Sequence, residues 1–204
     1  MIPYFVSALG GYLLGSIPLG YLLVKYRSSV DIRASGSGNV GAYNAGVVTG
    51  STFVGIAVGF LDGAKGLSAV LAAWFVFGSF WPAAIALLGS VIGHIAPVWL
   101  RWKGGRGLAT ACGGLFAVGL GFIIVWCTLW AVCKWQKLSI LTSNVIATIA
   151  TPVILVLMPS GLMSAVMTIE TTPAEYRILA FCLTAALLVS HRDALKEFRE
   201  ERMS

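Results

Sequence analysis

Long apolar stretches separated by short polar segments run along almost the entire chain. A helix that crosses a membrane needs about 20 consecutive apolar residues. Six stretches approach or exceed that length, and we predict a helix in each of them: residues 2–24, 51–77, 80–100, 108–132, 140–158 and 175–190. No repeat or low-complexity tract stands out. The pattern therefore predicts an all-α integral membrane protein.

The composition supports this prediction. Of the 204 residues, 58% are hydrophobic and only 11% are charged, whereas a soluble domain carries about 25% charged residues. So few charges cannot cover a surface that faces water. The first apolar stretch is too long for the core of a cleavable signal sequence and has no basic residue before it, so we expect a membrane helix there. We expect residues 1–204 to form a single transmembrane domain.

The basic residues are placed unevenly, and their placement predicts an orientation. Twelve of the 14 lysines and arginines lie in four groups, at residues 25–50, 101–106, 134–137 and after Ser190. Cytoplasmic loops of membrane proteins carry an excess of basic residues. If all four groups are cytoplasmic, the N-terminus lies outside and the C-terminus lies inside.

That orientation requires the stretch 107–133 to begin and end on the same side of the membrane. The stretch must then turn, either at the glycines of 113–114 or at residues 119–121, which gives seven membrane helices. Each half would reach about 20 Å, which is less than the roughly 30 Å of a hydrocarbon core. The alternative is one long helix, with six crossings and the basic tail outside. We prefer seven crossings.

The loop after the first predicted helix is rich in glycine and in small polar residues. Three glycines stand within six residues, accompanied by serine and asparagine side chains: Gly36, Ser37, Gly38, Asn39, Gly41 and Asn44. Glycines allow backbone amides to converge on an anion, and serine or asparagine side chains add donors. Spacing alone favours an ordinary flexible turn over a phosphate site.

A second loop combines cations with glycines. Three basic side chains stand among three glycines: Arg101, Lys103, Gly104, Gly105, Arg106 and Gly107. Positive charge together with close backbone approach suits a phosphate ester. An ordinary cytoplasmic loop would explain the arginines but not the glycines beside them. The segment is not a P-loop, because the spacing of that motif is absent.

Two charged residues and a histidine lie within or at the end of apolar helices. Asp62 and Lys65 are three residues apart, on one face of a predicted helix. Charges at such depth usually pair with each other or line a cavity. Asp62 and Lys65 therefore form either a structural ion pair or a contact with a ligand. His94 is either a hydrogen-bonding group of the scaffold or a general base, and a base would need a substrate hydroxyl within reach.

A third segment, residues 134–144, places basic and hydroxyl groups at one membrane boundary. Boundary residues and a helix cap explain that pattern well. Together, the three segments suggest a task at the inner membrane face, where a water-soluble anion meets a lipid-soluble molecule.

With these residues in view, the chain resembles the bacterial acyl-phosphate-dependent glycerol-3-phosphate acyltransferases. The first motif of that family is similar to residues 36–44, which read Gly-Ser-Gly-Asn-Val-Gly-Ala-Tyr-Asn here. A helix with Asp-x-x-Lys-Gly follows in the family and matches residues 62–66. The second motif resembles residues 93–98 and 103–110, and the likeness is tightest over residues 35–110.

The resemblance implies a seven-helix fold in the bacterial inner membrane with its active site on the cytoplasmic face. It implies transfer of a fatty acyl group from acyl phosphate to glycerol 3-phosphate, which gives lysophosphatidic acid for phospholipid synthesis. No metal or other cofactor is implied. The partners that we expect are the two substrates and the lipid bilayer, with no nucleic acid, and we expect a monomer.

The resemblance also suggests roles for individual residues. Ser37, Asn39 and His94 are the predicted catalytic residues, and no legible nucleophile–base arrangement accompanies them, so we predict direct transfer. The acceptor of the glycerol hydroxyl proton is either His94 or the phosphate of the substrate. The predicted substrate-binding residues are Gly36, Gly38, Gly41, Asn44, Lys65, Lys103, Gly104, Gly105, Arg106, Gly107, Ser143, His191 and Arg192.

Several positions depart from the family pattern. The family arginine after the first motif falls near Val47, and the motif threonine is Tyr43. The third motif aligns only loosely with residues 137–143, and near the C-terminus Ala194 and Glu197 replace an asparagine and an arginine. These changes remove a cation from the implied phosphate site.

The missing cation leaves two alternatives to an active acyltransferase. A regulatory relative would bind the ligands without turnover. An organic-phosphate transporter would fit the basic loops and the intramembrane charges, but the phosphate-binding groups lie on one face and no inverted repeat is visible.

Overall fold

The computed structural model describes residues 1–191, and the elements that it forms there are helical. In chain order the α-helices are α1 (Ile2–Ser16), α2 (Leu19–Ser28), α3 (Ala42–Thr49), α4 (Thr52–Phe77), α5 (Phe80–Ile95), α6 (Leu108–Val118), α7 (Gly121–Trp135), α8 (Ile140–Leu157), α9 (Ser160–Ala165) and α10 (Pro173–Ser190). Short 3₁₀ turns occupy Ile32–Ala34 and Val98–Leu100. Within residues 1–191 the extended pairing is limited to one isolated bridge between Gly119 and Met167. The prediction of an all-α fold is confirmed.

Five stretches within residues 1–191 are long and apolar enough to cross a membrane. They are Ile2–Ser28, Thr52–Phe77, Phe80–Leu100, Ile140–Leu157 and Pro173–Ser190. Helices α6 and α7 are also apolar but shorter, with 11 and 15 residues. The count of seven crossings and the orientation stay predictions.

The first predicted helix, residues 2–24, lies within the apolar span Ile2–Ser28, but it is interrupted, so the prediction of one continuous helix is wrong. α1 ends at Ser16, Ile17 is extended, and α2 starts after Pro18 and runs to Ser28. Proline lacks an amide hydrogen and clashes with the preceding turn, so it interrupts a helix interior. The break leaves carbonyl oxygens at the end of α1 available to other donors.

The long apolar stretch 108–132 is broken near 119–121, which is one of the two predicted turn positions, so a single continuous helix is excluded. One tyrosine stabilises this break. The Tyr176 hydroxyl donates to the Gly119 carbonyl at 2.7 Å and accepts from the Phe122 amide at 3.0 Å. These bonds satisfy backbone groups that helix ends leave unpaired.

The contacts of the described residues group into two compact units, Met1–Ala117 and the chain from Val118 onward. A single domain over the whole chain stays a prediction. In the first unit, α1 and α5 run parallel and meet through two G-x-x-x-G patterns, Gly11 with Gly15 and Gly89 with Gly93. A Cβ on any of these glycines would collide with backbone of the other helix. Small residues at such positions let membrane helices approach closely.

In the second unit, polar side chains join the apolar helices. The indole nitrogens of α7 donate to α8: Trp126 Nε1 to Thr148 Oγ1 at 3.0 Å, and Trp130 Nε1 to Asn144 Oδ1 at 2.9 Å. Arg177 of α10 donates to two carbonyls at the end of α8, at 3.1 and 2.8 Å. A cation at the C-terminal end of a helix satisfies its last carbonyls and complements its dipole.

Candidate active site

The first glycine-rich loop is organised by one buried side chain, Asn44, in the first turn of α3. Its Nδ2 group donates to the carbonyls of Ile32 (3.3 Å), Ser35 (3.0 Å) and Asn39 (2.8 Å). Its Oδ1 atom accepts from the Ser37 amide at 3.0 Å. Asn44 therefore holds the loop together, and a direct contact with substrate would require one of these bonds to break.

The other polar side chains of this loop differ in exposure. Asn39 is half-buried, and its Oδ1 accepts from the amide of Gly41, the N-cap of α3, at 2.8 Å. Ser37 is exposed. Gly36 and Gly38 have φ values of 59° and 71°, which side-chain-bearing residues rarely adopt. The loop thus presents Ser37 outward from a turn that the two glycines make possible.

An ion pair stabilises the start of the same loop. Arg33 donates Nε to Asp31 Oδ1 at 3.0 Å and Nη2 to Asp31 Oδ2 at 2.7 Å. These bonds lower the pKa of Asp31 from 3.8 to about 2. The guanidinium also lies 4.8 Å from the centre of the Tyr21 ring, within the range of a cation–π contact. Arg33 is therefore committed to the loop's own structure.

The glycines of the second loop are required by its close approach to the end of α5. The Gly104 amide donates to the Ile95 carbonyl at 3.1 Å, and the Gly105 amide donates to the His94 carbonyl at 3.0 Å. A Cβ on Gly104 would collide with the His94 carbonyl oxygen, and one on Gly105 would collide with His94 Nε2. Packing explains both glycines, so a phosphate bound by either amide would compete with an existing hydrogen bond.

Two of the three cations of the second loop are exposed. Lys103 and Arg101 are exposed, and Arg106 is half-buried. Arg101 and Trp102 have φ values of 53° and 66°, an uncommon conformation for residues other than glycine. Gly107, with φ of 81°, is buried where α6 begins. The loop therefore exposes the side chains of Arg101 and Lys103 to its surroundings.

One hydrophobic cluster brings the two loops together. Ile32 and Val40 of the first loop and Leu100 of the second are buried in it, with exposed fractions of 0%, 5% and 4%. The helices contribute Val24, Ala45, Val54 and Val58. Both predicted phosphate-binding loops therefore lie on one shared core of the first unit.

Beneath these loops lies a buried group of three polar side chains, Asp62, Lys65 and His94. Lys65 Nζ lies 3.0 Å from Asp62 Oδ1 and 3.1 Å from His94 Nδ1. It also donates to the carbonyls of Gly15 and Ile17, each at 3.0 Å. The Asp62–Lys65 ion pair expected from the sequence is present, and a contact of Lys65 with substrate stays a prediction. Lys65 would have to leave these partners to touch a substrate, although it was predicted to bind one.

His94 is enclosed on both sides of its ring. Nδ1 lies 3.4 Å from Asp62 Oδ1 in addition to its contact with Lys65, and Nε2 faces Gly105. Only 5% of the residue is exposed. A cavity beside it, lined by Pro18, Asp62, Lys65 and His94 among others, has room for about one water molecule. This geometry favours a scaffold role for His94 over a base that touches substrate.

Two predicted site residues belong to the second unit. Ser143 is buried in α8 and donates its hydroxyl to the Ser139 carbonyl at 2.7 Å. His191 is buried at the end of α10, with Nδ1 2.8 Å from the Leu187 carbonyl. Arg192 lies outside the described residues. Roles of these residues toward substrate stay predictions.

A family model described as glycerol-3-phosphate acyltransferase matches residues 5–201. The chain belongs to this family. The resemblance inferred from the two loop motifs is thereby confirmed, together with the assignment as an acyltransferase.

Curated and solved members of the family cover most of the chain. The glycerol-3-phosphate acyltransferase of Pelagibacter ubique (strain HTCC1062) is 42% identical over 145 residues, which are 69% of this chain and 74% of the relative. That of Bradyrhizobium diazoefficiens is 33% identical over 200 residues, 98% of this chain and 93% of the relative. The crystal structure of PlsY, an integral membrane glycerol 3-phosphate acyltransferase in its glycerol 3-phosphate form, is 31% identical with a TM-score of 0.79, covering 98% of this chain and 93% of that one. The predicted membrane fold is confirmed.

The structure also locates the main departure from the family motif. Tyr43 and Val47 lie one turn apart on α3, where they are 65% and 58% exposed. An arginine at position 47 would therefore have stood at an exposed position beside the first glycine loop. Sequence reasoning missed the link between His94 and the Asp62–Lys65 pair, which joins α5 to α4.

Proposed function

We propose that this acyltransferase transfers a fatty acyl group from acyl phosphate to glycerol 3-phosphate and releases lysophosphatidic acid and inorganic phosphate. The observation that supports it best is the joining of two glycine-rich loops, one exposing Ser37 and the other exposing Lys103, on one hydrophobic core. Two anionic substrates need two neighbouring sets of cations and donors. Such charge-assisted bonds hold phosphates well.

The reaction in this proposal is a direct transfer. A glycerol hydroxyl attacks the carbonyl carbon, the new C–O bond forms, and the bond to the phosphate oxygen breaks. His94 contacts an ion pair and backbone, so we assign the proton of the attacking hydroxyl to a substrate phosphate. The protein's contribution is then positioning and stabilisation of negative charge. Lys103, Arg106 and Ser37 are the groups that we expect to supply it.

We place this site at the cytoplasmic face of the bacterial inner membrane and propose that the protein acts as a monomer. Trp99 lies just before the second loop and Trp102 lies within it, each 63% exposed, and tryptophan is enriched where membrane meets water. The basic residues beside them favour the cytoplasmic side. A site at this boundary lets a dissolved anion meet an acyl donor whose chain stays in the bilayer.

The test uses purified protein in detergent, palmitoyl phosphate and labelled glycerol 3-phosphate, with lysophosphatidic acid as the measured product. We expect product, and a loss of at least about tenfold in kcat/KM for Lys103→Ala, because one charge-assisted bond to phosphate contributes roughly 1.5–3 kcal/mol. Lys134→Ala is the matched control, since Lys134 donates to the Leu138 carbonyl in the other unit. Equal effects of both substitutions would contradict the assignment of Lys103.

A second candidate, a relative that binds ligands without turnover, is favoured by Val47 alone. In that case the wild-type protein would bind glycerol 3-phosphate and form no product. Val47→Arg is then the informative variant, because the exposed position accepts a long side chain without a clash. Product formed only by the variant would establish the second candidate. The chain belongs to an acyltransferase family, so we do not propose the transporter as a candidate function.

A further inference from the structure

The buried lysine of α4 has more partners than an ion pair requires. Asp62 alone would neutralise Lys65, yet the ammonium group also reaches the Gly15 and Ile17 carbonyls and His94 Nδ1. Its side chain is only 6% exposed. A charge placed this deep is costly unless several polar partners compensate it. Through these extra contacts, the Nζ atom of Lys65 links α4 to the end of α1 and to α5.

Two of these partners exist because α1 is interrupted at Pro18. The interruption frees the Gly15 and Ile17 carbonyls from helical bonding. The lysine donates to both, and the Ile17 carbonyl also accepts from the Leu19 amide at 2.9 Å. The third partner of Lys65, His94, belongs to α5. It follows Gly93, at which α5 packs closely against α1. Lys65 therefore fixes the broken end of α1 to the end of α5.

The second loop rests on the other side of the same histidine. The Gly105 amide binds the His94 carbonyl, and the Gly105 backbone lies against His94 Nε2 so closely that no Cβ fits between them. A rotation of the ring would therefore displace Gly105. Lys103 and Arg106 stand immediately on either side of the two glycines, so a displacement of Gly105 would move both cations.

We propose that Lys65, held by Asp62, is a positioning residue: it fixes the His94 ring and thereby the loop that carries Lys103 and Arg106. The proposal deepens the proposed function and depends on it for the consequence in catalysis. The site would lose substrate affinity without Lys65 because a loosened loop must be ordered again when phosphate binds. No contact between Lys65 and substrate is needed.

The main variant combines Lys65→Met with Asp62→Asn in the full-length protein in detergent. Removing both charges avoids an uncompensated buried carboxylate, and neutral replacement of a buried pair is often tolerated. Gly105→Ala is a second variant, which presses on His94 Nε2 from the loop side and leaves both charges in place. Arg177→Met is the matched control, since Arg177 also binds two helix carbonyls but lies in the second unit.

The first readout is hydrogen exchange of peptides that cover residues 98–107, which does not require activity. We expect exchange about tenfold faster in both test variants, since the Gly104 and Gly105 amides are protected by bonds to α5. The Arg177→Met protein should show wild-type exchange in these peptides and faster exchange at the end of α8. Unchanged exchange of residues 98–107 in both test variants would overturn the proposal.

The second readout is a kinetic cycle with Lys103→Ala. We expect KM for glycerol 3-phosphate to rise about tenfold in the Lys65→Met, Asp62→Asn protein with a smaller change in kcat. Adding Lys103→Ala to that protein should then lower kcat/KM by a smaller factor than it does in the wild type, because Lys103 is already misplaced. A purely structural role would give independent, multiplicative effects and would overturn the proposal. A wild-type protein without product would instead contradict the proposed function, and the exchange readout would still decide the role of Lys65.

Discussion

At the scale of single residues, polar side chains of this protein mainly hold backbone in place. Asn44 binds four backbone groups of the first loop, and Lys65 binds two carbonyls of α1. Each was predicted to contact substrate, Asn44 because it lies in a glycine-rich motif and Lys65 because a charge inside an apolar helix often lines a cavity. Only the structure shows where their hydrogen bonds are already used. Ser37 and Lys103, by contrast, are exposed as a ligand site requires.

The Asp31–Arg33 pair allows a prediction about pH. The folded protein lowers the pKa of Asp31 to about 2 from 3.8. The pair therefore contributes to loop stability above about pH 4, and the contribution is lost as the pH falls toward 2. Arg33→Gln should raise the pKa of Asp31 toward 3.8, which a carboxyl-detected NMR titration would measure. Arg27→Gln, an exposed cation of the same segment, should leave that pKa near 2.

At the scale of helices, glycine decides how closely the first unit packs. The G-x-x-x-G patterns of α1 and α5 were visible in the sequence, but glycine is common in membrane helices and their pairing was not predicted. Pro18 was visible too, and its interruption of the first helix was missed because the apolar run continues across it. The break near residue 120 was predicted, because the charges on both sides required a turn.

Two neighbouring glycines of α1 provide a sharp test of this packing. A Cβ on Gly11 would collide with the Ala86 carbonyl, whereas a Cβ on Gly10 would meet nothing within 4 Å. Gly11→Ala should destabilise the protein by about 1–3 kcal/mol through overpacking. Gly10→Ala should leave stability unchanged or slightly raise it, because alanine favours helix. Thermal unfolding in detergent measures both, and equal Tm values would refute the close contact.

The break between α6 and α7 depends on Tyr176. Tyr176→Phe removes a donor to the Gly119 carbonyl and an acceptor for the Phe122 amide. Leaving such buried groups unsatisfied costs about 1–3 kcal/mol each, so we expect a clear fall in Tm. Tyr43→Phe is the control, because Tyr43 is 65% exposed. A Tm for Tyr176→Phe equal to that of the control would show that the break forms without the hydroxyl.

At the scale of the whole molecule, the remaining question is how often the chain crosses the bilayer. Within the described residues 1–191, five stretches are long enough to span by themselves, and α6 and α7 are shorter. Short helices are tolerated at membrane depth where protein or water covers their ends. The basic groups after α2, α5 and α7 all favour the cytoplasm. Seven crossings satisfy all of them, with the N-terminus outside.

This orientation is tested by reporters fused after Ser204. With seven crossings, a C-terminal fluorescent protein should fluoresce in cells, and a C-terminal alkaline phosphatase should be inactive, because the tail is cytoplasmic. Fusions that end within residues 78–79 should give the opposite result. An active phosphatase after Ser204 would favour six crossings and would contradict the cytoplasmic C-terminus predicted from the basic residues.

The sequence by itself determined the class of the protein. Apolar runs of about 20 residues and the scarcity of charge indicate a helical membrane fold, since a helix satisfies its backbone hydrogen bonds within one segment. The motifs at residues 36–44 and 93–110 identified the family. The tertiary structure decided which groups the motif residues contact within the protein: His94 meets Lys65 across 29 positions of sequence, and a Cβ on Gly105 would collide with His94. Hydrophobic length and local charge are properties of short segments, whereas such contacts depend on how separate helices pack, which no local pattern encodes.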